Sequence, residues 1–301
     1  MENHKTGILC FSTRSWQTGQ EANQHLLVEI PYHITYLDKK TDDSSEAFLD
    51  NPKISQEDND TLLSNLKSKQ IIVNSAQPSS GEIMNGLEIL KGQGVEEIVI
   101  ITPSEKLTPV INPAGNAAQD FYAEQGIPVT VEDSRVISAP EGFVVREAYK
   151  LAESGATAEK IVRSIPLTAA RTCIDQVFSS LYQLRKNGRI GKAKYLVAGI
   201  LSKNALITLK EGLLEPIDSI RGWEQANTAA IEYLAKFAMG KTVELAIVYY
   251  GVSEEQLQRS EYIARNTIKN IDSKTLFKPQ SCVLVAHSDI GTIGYSVFEK
   301  D

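Results

Sequence analysis

Apolar positions along the chain fall into two periods, and their alternation outlines most of the elements. Residues 71–73 and 97–102 are short β-branched runs. Both read as buried strands, and the second, with Ile98, Val99, Ile100 and Ile101, as a parallel one. Between them Ile83, Met84, Leu87 and Leu90 recur at helical spacing. Ser79 and Glu82 stand just ahead with the S-x-x-E spacing of a capping box, and Pro78 turns the chain from strand to helix. Such a junction leaves backbone N–H groups and hydroxyls at a helix N-terminus, where an anion can be held. Leu62, Leu63 and Leu66 predict a helix over residues 55–69. In the next helix Asn112 is expected as N-cap, Pro113 at the first position and Gly126 just past the end. A strand at 128–132, a helix at 140–153 stopped by Gly155, and a helix capped by Thr157 follow. Upstream, residues 7–11 read as a strand, 17–24 as a polar helix and 26–37 as strand-like despite Pro31. Residues 38–60, rich in Asp, Ser, Lys and Asn, read as a mobile loop. Repeated strand–helix alternation of this kind predicts a parallel sheet covered on both faces.

The pattern changes after about residue 165. A strand is expected at 171–178 and short helices at 181–187 and 190–198. Glu211-Gly212 separates two strand-like runs, 205–210 and 213–221, as in a hairpin. A helix at 224–239 ends at Gly240, then come a strand at 243–250 and a helix at 254–271. Closing strands are expected at 276–277, 283–286 and 293–298. The expected fold is α/β with two lobes: an N-terminal parallel-sheet α/β domain over residues 1–164 and a C-terminal α+β domain over 165–301.

Composition narrows the function. The chain has 301 residues, 42% hydrophobic and 23% charged, with a net charge of −7. An acidic surface argues against a general nucleic-acid binder and against docking on an anionic bilayer. The three cysteines, Cys10, Cys173 and Cys282, form no C-x-x-C pair, which disfavours a zinc site and suits a reducing cytosol. The first residues carry no apolar signal core and no apolar stretch reaches spanning length, so a cytoplasmic protein without membrane insertion is expected. Catalytic motifs fail. Gly240-Lys241-Thr242 lacks the earlier glycine of a phosphate loop, since Ala235 stands there. There is no G-x-S-x-G elbow, and the four histidines are not grouped at metal-ligand spacing.

Ser75-Ala76-Gln77-Pro78-Ser79 resembles the Thr-Ser-Gln-Pro-Ser signature of the DegV family of bacterial fatty-acid-binding proteins. Further segments are similar in the same order: Asp133-Ser134, Asn187-Gly188-Arg189-Ile190 against a Gly-Gly-Arg-Ile/Leu run, and Ile220-Arg221-Gly222 against Val-Arg-Gly. Residues 287–294 come last, against His-x-Gly-Pro-Gly-x-x-Gly. The resemblance spans residues 71–298 and implies two α/β lobes with a long-chain fatty acid buried between them. It further implies that the carboxylate is held by Ser75, Thr108, Arg189 and His287 and is presented to a separate fatty-acid kinase for phospholipid synthesis. On this reading the protein is a carrier and not an enzyme, with no metal and no cofactor besides the bound acid. A buried carboxylate needs hydrogen bonds or a cation to stay ionised, and two hydroxyls and an arginine provide them. Burying about fifteen methylenes at ~0.8 kcal/mol each adds a gross gain on the order of 12 kcal/mol, before ordering costs.

Several positions depart from the family pattern. Phe11 replaces an acid before Ser12, Ala76 replaces a hydroxyl, Pro109-Val110 replace Gly-Thr, and Asp289-Ile290 replace Gly-Pro. Other readings of the chosen residues are ordinary: a turn serine, a loop threonine, a helix-capping arginine and a structural histidine. The alternatives for the whole chain are a lipid-free homologue acting as a protein-interaction or regulatory module, and a small hydrolase or transferase built on Ser75 and His287.

Overall fold

The computed structural model describes residues 4–15, 25–41, 44–50, 56–68, 71–189, 203–272 and 274–300. The chain opens with β1 (Thr6–Phe11), whose residues are all buried, and a 3-10 turn at Ser12–Arg14. Next come β2 (Leu27–Ile30), β3 (Tyr32–Asp38), β4 (Ser44–Asp50), α1 (Gln56–Lys67) and β5 (Ile71–Ala76). Then follow α2 (Ser80–Gly92), β6 (Glu97–Thr102), α3 (Ile111–Gln125), β7 (Val129–Asp133), α4 (Ala139–Glu153) and α5 (Ala158–Ala170). Strands in the order β2-β1-β6-β7 form a four-stranded sheet, parallel throughout. Its centre reads as unbroken apolar runs because helices cover it: α2 packs on β1 and β2, and α4 and α5 pack on β1 and β6. Gly86 lets α2 approach that closely, since a Cβ there would lie 2.5 Å from Ile30 Cδ1.

Pro31 ends β2, and the chain re-enters a second, three-stranded sheet, β4-β3-β5, antiparallel throughout. The expected loop at 38–60 is thus corrected: β4 pairs with β3, and α1 begins at Gln56. Polar composition misled here because one face of an antiparallel sheet can be wet. The third helix is also corrected. It begins at Ile111 after Val110, which is already helical, so Asn112 is no N-cap.

The rest of the chain supplies β8 (Thr172–Phe178), α6 (Tyr182–Lys186), β9 (Asn204–Lys210), β10 (Leu213–Ile220), α7 (Trp223–Ala238) and β11 (Val243–Tyr250). It ends with α8 (Glu254–Thr267), β12 (Leu276–Pro279), α9 (Cys282–Ser288) and β13 (Thr292–Glu299). Six strands in the order β10-β9-β8-β13-β11-β12 make a mixed sheet in which only the β11–β12 pair is parallel. The architecture is therefore α/β, with a parallel-sheet unit and a mixed-sheet unit. The helices expected at 17–24 and 190–198 lie outside the described residues.

One element crosses between the units. Residues 283–286 are not a strand but part of α9, which packs against β3 and β5. Val285 and Ala286 share one core with Ile34 and Val73. A short apolar run suits a strand or a buried helix equally well, and here tertiary contacts decide. The buried Asp50 carboxylate at the end of β4 accepts from Cys282 N at 2.8 Å and Val283 N at 3.1 Å, so it caps α9 from another strand. α9 thereby carries His287 from the mixed-sheet unit to β5.

Candidate functional site

A cavity of about 200 Å³ lies where β5, α6, α9 and the loop between β6 and α3 meet. Ser75, Gln77, Thr108, Arg189 and His287 line its polar part, and Ile137, Phe178, Leu184, Leu214 and Leu284 its apolar wall. All four residues singled out in the sequence reach this one cavity from four separate segments.

Ser75 is the penultimate residue of β5, held in register opposite Ile34. Thr108 sits in the loop after β6, where its N–H and that of Leu107 donate to Ser104 O at 3.1 and 3.0 Å. The β9–β10 turn pins this loop: Ser104 Oγ donates to Gly212 O at 2.7 Å and Lys106 Nζ to Glu211 O at 2.8 Å. Gly212 has φ +78° and a Cβ there would lie 2.5 Å from Ser104 Oγ, so the turn needs glycine twice over. Arg189 follows α6. Its Nη1 donates to Asn187 O at 2.7 Å and its Nε to Leu107 O at 3.2 Å, which ties α6 to the Thr108 loop. The arginine lies exposed at the cavity mouth.

His287 and Ser75 meet directly, with Nε2 2.9 Å from Oγ. Burial, with the Arg189 charge adding to it, pushes His287 down from 6.5 to about 4, so the ring is neutral at pH 7. Thr108 Oγ1 is 2.8 Å from the hydroxyl of Tyr32, and burial raises the Tyr32 pKa far above its ordinary value. Ser75 and Thr108 therefore each meet a polar side chain, His287 and Tyr32 respectively. Arg189 is the cationic member of the polar part.

The geometry changes one expectation and places two of the departures. The N-terminus of α2 is not an anion site: Ser79 Oγ accepts from Glu82 N and the Glu82 carboxylate accepts from Ser79 N. The capping box is already closed by its own anion, which also meets His33 Nε2 at 2.6 Å. Asp289 is not in the cavity lining, and its Oδ1 accepts from Ile290 N at 2.8 Å. Beside Phe11, where the family pattern has an acid, Ser12 Oγ donates to the carboxylate of the distant Asp50 at 2.9 Å. Sequence reasoning missed Asp50, Tyr32 and Asn187. Asp50 and Tyr32 carry no local signal, because each acts on a distant segment. Asn187 carried one, since it stands where the resembling segment has glycine.

Among the described residues no group of His, Cys, Asp and Glu is arranged to hold a metal, and no helix is long and apolar enough to cross a membrane. A DegV domain-containing protein of Streptococcus pyogenes is 31% identical over 203 residues, 67% of this chain and 71% of that one. A fatty-acid-binding DegV family protein of Thermus thermophilus superposes with a TM-score of 0.83 at 19% identity, over 98% of this chain and all of the other (100%). The Streptococcus pneumoniae fatty acid kinase B3 protein, loaded with linoleic acid, superposes with a TM-score of 0.81 at 21% identity, over 99% of this chain and 100% of the other. These two likenesses concern the fold. The model described as "Uncharacterised protein, DegV family" matches residues 29–300, and the chain belongs to the DegV family.

Proposed function

We propose that this protein buries a long-chain fatty acid between its two units and presents the carboxylate to a fatty-acid kinase in the cytoplasm, as an early step towards phospholipid. The observation that carries the reading is the convergence of Ser75, Thr108, Arg189 and His287 on one cavity that Ile137, Phe178, Leu184, Leu214 and Leu284 also line. Two hydroxyls and a guanidinium supply what an ionised carboxylate needs away from water. Relatives of the same fold support the ligand class, and the name of the pneumococcal one supports the kinase. At about 200 Å³ the cavity is smaller than the roughly 300–1,000 Å³ usual for ligand sites, so a long tail must displace side chains on the apolar wall. Leu184 on α6 and Leu214 on β10 line that wall from the mixed-sheet unit.

The close Ser75–His287 pair invites a hydrolase reading, and His287 Nδ1 argues against it. A catalytic serine needs a histidine whose Nδ1–H donates to an acceptor, leaving Nε2 free to take the serine proton. Here Nδ1 faces the Asn187 amide nitrogen, a donor, at 3.1 Å. Native mass spectrometry of the purified chain tests the carrier. It should show one bound acyl chain, and a clean apo mass together with no uptake at any chain length overturns the reading.

A further inference from the structure

We infer that Asn187 is a positioning residue, holding His287 in the tautomer that leaves the Ser75 hydroxyl hydrogen free for a bound carboxylate. The inference deepens the fatty-acid reading and rests on it. It begins with the orientation of the amide. Asn187 Nδ2 lies 3.0 Å from the carbonyl oxygen of Ala286, and a carbonyl oxygen only accepts. That end of the side chain is therefore the NH2, because a flipped amide would set two oxygens against each other. The same nitrogen lies 3.1 Å from His287 Nδ1. One hydrogen of the NH2 goes to each partner, so Nδ1 accepts.

A neutral imidazole has a single N–H, and with Nδ1 accepting, that hydrogen sits on Nε2. Nε2 is 2.9 Å from Ser75 Oγ, so the ring donates into the serine oxygen. Ser75 then has its own hydrogen left, and its side chain lines the cavity. Asn187, His287 and Ser75 donate in one direction, each polarising the next, and a carboxylate oxygen is a fitting end to the series. In the opposite tautomer Nε2 would accept the Ser75 hydrogen. The serine would then offer only lone pairs, which repel a carboxylate.

The departures from the family pattern give this device a place. Ala76 and Val110 stand where hydroxyls are expected, so fewer donors remain. The resembling Gly-Gly-Arg segment has no side chain at the position of Asn187. The device selects a head group that accepts hydrogen bonds, namely the ionised carboxylate.

The test reads the tautomer and the affinity separately. In the ligand-free full chain, imidazole 15N spectra at pH 7 should place the His287 proton on Nε2, with His287→Gln identifying the signals. Asn187→Asp, which turns an acceptor towards Nδ1, should move the proton there. Asn187→Leu should leave the ring without an anchor and weaken fatty-acid binding about tenfold, with the melting temperature as the control for folding. A proton on Nδ1 in the unaltered chain overturns the inference. So does a Leu variant that changes the tautomer and keeps full affinity. Nε2–H in a chain that takes up no fatty acid overturns the proposed function and upholds the Asn187–His287 geometry.

Discussion

Ser75 and Thr108 each hold one hydroxyl at the cavity, and each is braced from behind, by His287 at 2.9 Å and Tyr32 at 2.8 Å. Hydrogen bonds to a charged group contribute about 1.5–3 kcal/mol each, so Ser75→Ala together with Thr108→Val should weaken fatty-acid uptake by two orders of magnitude or more. Stability should fall by only about 1–2 kcal/mol, from the hydrogen bonds that His287 and Tyr32 lose, which is less than the loss in binding. Equal uptake by the double variant, measured by ligand displacement, would refute the assignment. Tyr32→Phe is a finer probe. It removes the group behind Thr108 and keeps the ring that packs edge-on against Phe11, so affinity should fall several-fold with stability lowered by about 1 kcal/mol. Arg189 is different in kind. It is exposed and tied to two backbone carbonyls, so Arg189→Gln should lower affinity in a salt-dependent way, visible as a smaller loss at high ionic strength.

α9 shows how an element is made by residues far from it. Its seven residues form no stable helix alone. Asp50 supplies the missing cap, and packing against β3 and β5 supplies the burial. Asp50→Ala leaves two backbone N–H groups and the hydroxyl hydrogen of Ser12 without their acceptor in a buried place. It should cost about 2–4 kcal/mol by chemical denaturation. The same variant should also weaken fatty-acid binding, because α9 carries His287. α2 tests a contrasting kind of contact. Gly86→Ala forces a methyl towards Ile30 and Leu9 and should cost about 1–3 kcal/mol with no specific effect on the ligand.

Buried titrating groups couple the whole molecule to pH. Burial pushes Asp50 up from 3.8 to about 7, against the two backbone N–H groups and Ser12 that favour its charged form. Burial likewise pushes Asp175 up to about 6. Between their unfolded and folded values the folded chain holds protons that the unfolded chain releases. Their contribution is fully present below about pH 4 and is lost as pH rises through about 6 to 7. His287 runs the other way. Its folded value is depressed to about 4, so the unfolded chain gains a proton below about 6.5 that the folded chain refuses, and acidification costs stability. Two carboxylates outweigh one imidazole, and Glu141, also raised by burial, adds to them. The melting temperature should therefore be higher near pH 5.5 than near pH 8, by about a few degrees. Asp50→Asn should reduce that slope and His287→Gln should steepen it. Bound fatty acid should raise the melting temperature as well, by about 2.7 kcal/mol of added stability at a hundredfold excess over Kd.

Much of this was legible in the chain itself. Local pattern marked the parallel strands, the Ser79–Glu82 capping box and the β9–β10 hairpin, because those features depend on neighbours a few residues apart. The ordered motifs around Ser75, Arg189 and His287 pointed to one family and one site, because each short segment keeps its residue types together in sequence. Tertiary structure decided the rest. It made β4 from a polar stretch by pairing it with β3, and it made α9 from a run that could equally have been a strand, by laying Asp50 across its first turn. It also set Asn187 against His287, one hundred positions apart, and so fixed which ring nitrogen carries the proton. The residue type at Asn187 was a signal, but none of these pairings can be read from neighbouring positions. Each depends on a hydrogen bond or a buried contact between distant segments, and such partners are chosen only when the chain has folded.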